Sequence, residues 1–221
     1  MDKKELLCKL NKFLSADRIK TFESVLSNRT RHFTVAVENV FQSHNASAVM
    51  RNCDCFGIQD LHVIANNNVY ELSKDVAMGA EKWVDMHSYF QKENNSQDCL
   101  DSIKSQGFQI VATTPHTSDV ILPEFDVTKK SAFFFGTERD GLSDMVLDQA
   151  DVFLRIPMYG FTESYNISVS AALVLHDVVT RLKKSEVNWH LSDEEVLDKK
   201  IDWAVNSIRS GEQILKQLLH S

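Results

Sequence analysis

SAFFFGTERDGLSDMVLDQADVFLRIPMYGFTESYNISVSAA, residues 131–172, is the stretch on which the fold turns. It opens on an apolar run at 131–135 and holds a second at 152–155. Both are short and continuous rather than alternating, as in strands covered on both faces. Gly136, Gly141 and Gly160, three of the seven glycines, and Pro157, one of the three prolines, follow these runs or sit in a turn beside one. Glycine and proline placed so sharply mark backbone that comes close to something. The segments after the two runs therefore read as ligand loops at strand ends. Ser164 and Asn166 stand at the mouth of the longest apolar helical pattern, 166–183.

Outward from this stretch, strands and helices alternate. Residues 33–37, 61–64 and 109–113 read as strands, and 84–87 as a short one. Residues 46–56 read as a helix ended by Gly57, with Asn45 at its N-cap. Residues 100–106 close a helix ended by Gly107, and 143–149 form a short helix capped by Ser143. Residues 66–68 and 93–97 are polar loop segments. Near the start, Leu6, Leu7, Leu10 and Leu14, then Ile19, Phe22, Val25 and Leu26, recur at helical spacing over 2–26, with Ser15 or Asp17 to cap a second helix. Residues 192–220 form a helical tail with Ser192 and Glu195 as a capping box and a break at Gly211. The pattern predicts an α/β fold: a mostly parallel sheet with helices on both faces. Three segments are expected: a basic helical extension at 1–31, the α/β domain at 32–183, and a helical extension at 184–221.

The 221 residues, 43% of them hydrophobic, suffice for one sizeable domain with appendages. No apolar run approaches the ~18 residues of a membrane span. MDKKELLCKLNKFL interleaves charges with leucines and lacks a small-residue cleavage site, so a cytoplasmic protein is expected. Cys8, Cys53, Cys55 and Cys99 fit that compartment, and the Cys53-x-Cys55 spacing matches neither a redox pair nor a zinc knuckle. The net charge is −7, but unevenly spread. Residues 1–31 carry eight basic residues against four acids, 181–221 carry seven of each, and 32–180 hold nine basic and twenty acidic residues. An acidic body with a basic arm either has a nucleic-acid partner or merely a solvated helical face.

The usual ligand fingerprints are missing. There is no GxxxxGK[ST] loop, no GxGxxG turn, no GxSxG elbow and no His/Cys/Asp cluster at metal-ligand spacing, so no metal is expected. The first strand runs into Glu38-Asn39-Val40 and Ser43-His44-Asn45, not a glycine-rich loop. What remains is Asn45 and, six residues on, Arg51 among Ala48, Val49, Met50 and Cys53. An arginine in an apolar stretch snorkels, pairs with a carboxylate such as Asp54 or Glu138, or serves a ligand.

Three segments carry a resemblance. ENVFQSHNASAVMRNCDCFG (38–57), FFFGTERDGLS (133–143) and IPMYGFTESYNISVSAALVL (156–175) are similar, in order, to the three motifs of the SpoU family of RNA 2′-O-methyltransferases, within the SPOUT superfamily. VLSNRTRHFTVAVENV (25–40), MGAEKWVDMH (78–87) and WHLSDEEVLDKKIDWAVNSI (189–208) resemble its TrmH branch, which acts on guanosine 18 of tRNA. The resemblance covers nearly the whole chain apart from about the first fifteen residues. Two departures stand out. Thr162-Glu163-Ser164-Tyr165-Asn166 replaces the more usual Val-Gln-Ser-Leu-Asn, and Arg139-Asp140 stands where a lysine and a small or aromatic residue are usual.

The resemblance implies a deep trefoil knot in the C-terminal part of the sheet, a homodimer, and S-adenosylmethionine as methyl donor. It places the donor against Thr113, Gly136, Ile156, Met158, Tyr165 and Asn166. It assigns catalysis to Arg51, with Asn45, Glu138, Ser164 and Asn166 around it. Ser164 could instead simply cap the helix after it. Arg51 either acts as base, once desolvated and aided by a substrate phosphate, or orients that phosphate, which takes the proton. Arg18, Lys20, Arg29 and Arg31 are the expected contacts to tRNA phosphates. Methylation of another tRNA or rRNA position, or a non-catalytic RNA-binding module, are the rival readings. The intact Asn45, Arg51, Glu138, Ser164, Asn166 set speaks against the second.

Overall fold

A computed structural model describes residues 1–40, 43–66, 73–92, 94–115, 119–137 and 139–220. In chain order its elements are α1 (Lys3–Asn11), α2 (Ala16–Leu26), β1 (Phe33–Glu38), α3 (Ser43–Phe56), β2 (Asp60–Ile64) and α4 (Lys74–Ala77). There follow β3 (Asp85–Tyr89), α5 (Asn95–Ser105), β4 (Gln109–Thr113), β5 (Val120–Ile121), β6 (Ser131–Phe135) and α6 (Asp144–Leu147). The last are β7 (Val152–Arg155), α7 (Ile167–Leu182), α8 (Asp193–Ser207) and α9 (Gly211–Leu219). They form two compact units, residues 31–189 and residues 1–30 with 190–221. The two terminal extensions, separate in the sequence, thus build one unit.

The larger unit is a seven-stranded sheet in the order β3-β2-β1-β6-β4-β7-β5, every adjacent pair parallel. Its central strands are apolar on both faces because both faces are covered. Phe33, Val35 and Val37 of β1 and Phe133 and Phe135 of β6 pack in one cluster with Val49, Met50 and Cys53 of α3 and Val174, Leu175 and Val178 of α7. The alternate residues, Ala36, Ile110, Ala132 and Phe134, pack with Cys99, Leu100 and Ile103 of α5 and Val146 of α6. Successive side chains point to opposite faces, so a one-residue slip would exchange the two clusters.

In the smaller unit α8 starts at the Ser192/Glu195 capping box, with both reciprocal bonds formed. Phe22 of α2 meets Trp203 of α8 edge to face, ring centroids 5.6 Å apart. Lys3 pairs with Glu194 and Asp198, and Lys200 with Glu23, so part of the basic charge is matched within the unit.

Residues 2–26 form two helices, and of the two candidate caps it is Ser15 that caps the second. The structure corrects other local expectations. α3 begins at Ser43, so Asn45 lies in its first turn rather than at the cap. α7 is capped by Asn166, whose side chain accepts from the Ser168 amide, and not by Ser164. α4 and the two-residue β5 were not foreseen, being too short to carry a period.

At the β2/β3 edge a polar network stands apart from the loops of interest. Arg31 donates to Asp60 at 2.7 Å and to Asp85 at 2.6 Å. His87 Nε2 lies 2.9 Å from Asp60 Oδ1, and the His62 ring stacks on His87 at 4.7 Å. Burial pushes the Asp60 carboxyl up, but the His87 hydrogen bond and the Arg31 charge outweigh it and hold it low. Burial, and then the His87 charge, lower His62 to about 4. A histidine depressed on folding binds more protons when unfolded, so stability is full above about pH 6.5 and falls as the pH drops toward 4. Urea unfolding at pH 7.5 and pH 5 should show a loss of about 2 kcal/mol from this group. His62→Gln should flatten that slope; an unchanged slope would assign the acid sensitivity elsewhere.

Candidate functional site

The C-terminal ends of β4, β6 and β7, neighbours in the sheet, open onto one cavity of about 390 Å³. Ligands in open parallel sheets bind at this edge of the strands. Thr113 and Thr114 form one wall after β4; the Thr113 hydroxyl donates to the Phe134 carbonyl at 2.7 Å. Gly136, Gly141 and Leu142 form a second wall, and Ile156 and Met158 a third. Ser164, Tyr165 and Ile167 close it where α7 begins.

The wall after β6 is held by its own backbone. Thr137 and Gly141 exchange amide-to-carbonyl bonds at 2.9 and 3.1 Å, and Gly141 sits at φ +72°. The turn folds so tightly onto Gly136 that a Cβ there would lie 2.1 Å from the Gly141 carbonyl carbon. At Gly136 the close approach is to the chain's own backbone at Gly141 and Leu142. Gly160 makes none: a Cβ there would meet nothing within 4 Å. Glu138 falls outside the described residues.

Asn166 joins the end of this loop to α3. Its Nδ2 donates to Asn45 Oδ1 at 3.2 Å, while its own Oδ1 accepts from the Ser168 amide at 2.9 Å. Asn52, two turns further along the same face of α3, donates to the Ser168 carbonyl at 2.7 Å. The two helices are therefore locked at the cavity's rim by side-chain amides.

Arg51 stands away from this junction. Six residues after Asn45, it is rotated about 120° around the helix. Its side chain is exposed, with no ion pair among the described residues. The structure thus gathers Thr113, Gly136, Ile156, Met158, Ser164 and Tyr165 around the cavity and Asn45 with Asn166 beside it, and leaves Arg51 outside.

The basic arm is rearranged too. Arg29 is only 1% exposed and lies over the Trp203 ring, 5.4 Å from its centroid. Arg31 is committed to Asp60 and Asp85. Arg18 and Lys20 are exposed on α2. The sequence reading missed three charged groups that line the cavity, Arg139, Asp140 and Glu163. Their signal was present, because all three are departures from the family pattern. Among the described residues no His/Cys/Asp/Glu group is placed to hold a metal, and no helix is long and apolar enough to cross a membrane.

Residues 32–176 match the model of the SpoU rRNA methylase family. The chain belongs to this family. Among relatives, it is 37% identical to the tRNA (guanosine(18)-2′-O)-methyltransferase of Borreliella burgdorferi over 96% of this chain and 95% of that one. Its fold is similar to the crystal structure of the A. aeolicus TrmH/SpoU tRNA modifying enzyme, with a TM-score of 0.75, 31% identity, and coverage of 87% of this chain and 98% of that chain. The SpoU methyltransferase AviRb from Streptomyces viridochromogenes, solved with AdoMet, shares the fold at 21% identity and a TM-score of 0.61, over 74% of this chain and 62% of that one. The matched residues include the whole lining of the cavity, from Thr113 to Ser170.

Proposed function

We propose that this SpoU-family chain transfers a methyl group from S-adenosylmethionine to the ribose 2′-hydroxyl of a tRNA nucleotide, guanosine 18, in the cytoplasm. The observation that carries the reading is a cavity walled by the end of β4 and by segments 135–142 and 156–170, with the Asn45–Asn166 bond at its rim. Its volume of about 390 Å³ lies within the ~300–1,000 Å³ of ordinary ligand pockets. The donor fits this lining on chemical grounds. The tight turn at Gly136 fixes one wall, Ile156 and Met158 offer an apolar one, and Asp140 and Glu163 suit a cationic sulfonium.

Bound there, S-adenosylmethionine supplies a methyl group already activated for displacement. The protein must then hold the two reactants in line and make the hydroxyl a better nucleophile. Asn45 and Asn166 are placed to fix the ribose at the rim. The exposure of Arg51 supports its phosphate-orienting role over that of a desolvated base: the phosphate it holds would take the hydroxyl proton, and the guanidinium would steady charge while the O–CH₃ bond formed and the S–CH₃ bond broke.

Arg51 lies outside its own chain's cavity, and this favours a homodimer in which a second copy completes the site. Exposed apolar side chains support it: Val169 and Leu173 of α7 are 44% and 39% exposed, and Tyr159 of the preceding loop 97%. The deep knot the family resemblance implies belongs to the same proposal. The reading is tested by incubating unmodified tRNA with methyl-labelled donor. The label should appear in an alkali-resistant dinucleotide; label on a base would remove it.

For the arm, Arg18 and Lys20 are the proposed phosphate contacts. Replacing both with alanine should weaken tRNA binding and flatten the log–log salt slope by roughly 1–2 units. An unchanged slope would return α2 to a merely solvated face.

A further inference from the structure

Glu38 ends β1 and is only 1% exposed. Among the described residues every donor to it is neutral. Ser143 donates to it twice, from the backbone amide to Oε2 at 2.8 Å and from Oγ to Oε1 at 2.8 Å. The Ser96 hydroxyl, in the first turn of α5, donates to the same Oε1. Ser96 in turn accepts from Asn66 Nδ2 at 2.8 Å, and the Asn66 amide donates to Asn39 Oδ1 at 2.8 Å. A carboxylate buried without a cation is expensive, and it is kept only where its hydrogen bonds are complete. The partial positive charge at the start of α5 helps it.

Ser143 is the residue that leaves the cavity's second wall. It stands at the N-cap position of α6 with extended backbone, yet its hydroxyl makes no capping bond and turns to Glu38 instead. Directly before it, Leu142 and Gly141 line the cavity, and Gly141 closes the turn onto Gly136. β1 and β6 are register partners, Val37 opposite Phe135. Glu38 therefore clamps the far end of the turn to the strand next to the one that starts it.

We propose that Glu38 is a positioning residue for the donor: through Ser143 it sets Gly141 and Leu142 of the cavity wall, and hence affinity for S-adenosylmethionine, without touching the reactants. The proposal rests on the donor reading of the cavity. The Ser143 arm leads to the cavity and the Ser96 arm does not, which gives a discriminating set of variants.

Donor affinity by calorimetry, single-turnover methyl transfer at saturating donor, and thermal unfolding should be compared for the wild type, Glu38→Gln, Ser143→Ala and Ser96→Ala. Glu38→Gln turns one acceptor into a donor facing donors. It should weaken donor binding about ten-fold while the saturated rate changes far less. Ser143→Ala should weaken binding several-fold, and Ser96→Ala should leave it within about two-fold, even where both lower the unfolding temperature alike. Unchanged donor affinity in Glu38→Gln, or equal losses in the two serine variants, would overturn the proposal. A wild type that binds no donor would instead sink the donor reading. The clamp would then be decided by hydrogen exchange at the Ser143 amide, which should quicken in Glu38→Gln while α5 stays protected; unchanged protection would overturn it.

Discussion

Arg51→Ala should lower methyl transfer by at least about 10³-fold while leaving affinity for S-adenosylmethionine within about two-fold of wild type. The separation follows from position. The cavity is built after β4, β6 and β7, whereas Arg51 projects, exposed, from α3. Truncating it removes nothing from the cavity's lining. It removes a cation that, in the proposed dimer, meets the substrate phosphate and the charge developing on the ribose oxygen. Arg51→Lys keeps the charge but loses the planar fork that grips phosphate oxygens in pairs, so it should rescue little. Calorimetry with the donor and single-turnover kinetics with tRNA check the two halves independently. Equal loss of donor binding in Arg51→Ala would show that Arg51 supports the pocket and is no catalyst.

Gly136→Ala should have the reverse signature, loss of donor binding before any chemistry. The added Cβ would lie 2.1 Å from the Gly141 carbonyl carbon, 2.2 Å from its oxygen and 2.3 Å from the Leu142 amide nitrogen. These are backbone atoms, so no rotamer change relieves the clash. The turn itself must move, and Gly141 and Leu142 line the cavity. Overpacking of this kind costs about 1–3 kcal/mol or more of stability, and the displaced wall should weaken the donor by on the order of 100-fold. Gly160→Ala is the matched control, since its Cβ meets open space. Near-normal donor affinity in Gly136→Ala would mean that the turn is soft and that the pocket lies elsewhere.

The two variants also mark how far the chain could be read without coordinates. The central strands were legible because sheet burial on both faces writes continuous apolar runs, as at 33–37 and 131–135. The α8 capping box was legible because it is local, four residues satisfying one another. The turn at Gly136 was legible for the same reason. What failed was decided at long range. Arg29 looked like a basic arm residue, but Trp203, distant in sequence, takes its guanidinium. Arg31 is taken by Asp60 and Asp85, each on a different strand. Ser143 does cap α6, but a carboxylate 105 residues earlier takes the hydroxyl that would have capped it. Asn45 and Asn166 stood out separately in the sequence. Their contact, between positions 121 apart, is a product of α3 packing on α7.

The proposed reaction is most directly tested by mapping nucleosides in an unmodified tRNA after incubation with the protein and methyl-labelled S-adenosylmethionine, with Arg51→Ala as the blank. The expected result is one 2′-O-methylguanosine at position 18, absent in the blank. A methyl group on a base, at another nucleotide, or equally in the Arg51→Ala reaction would contradict it.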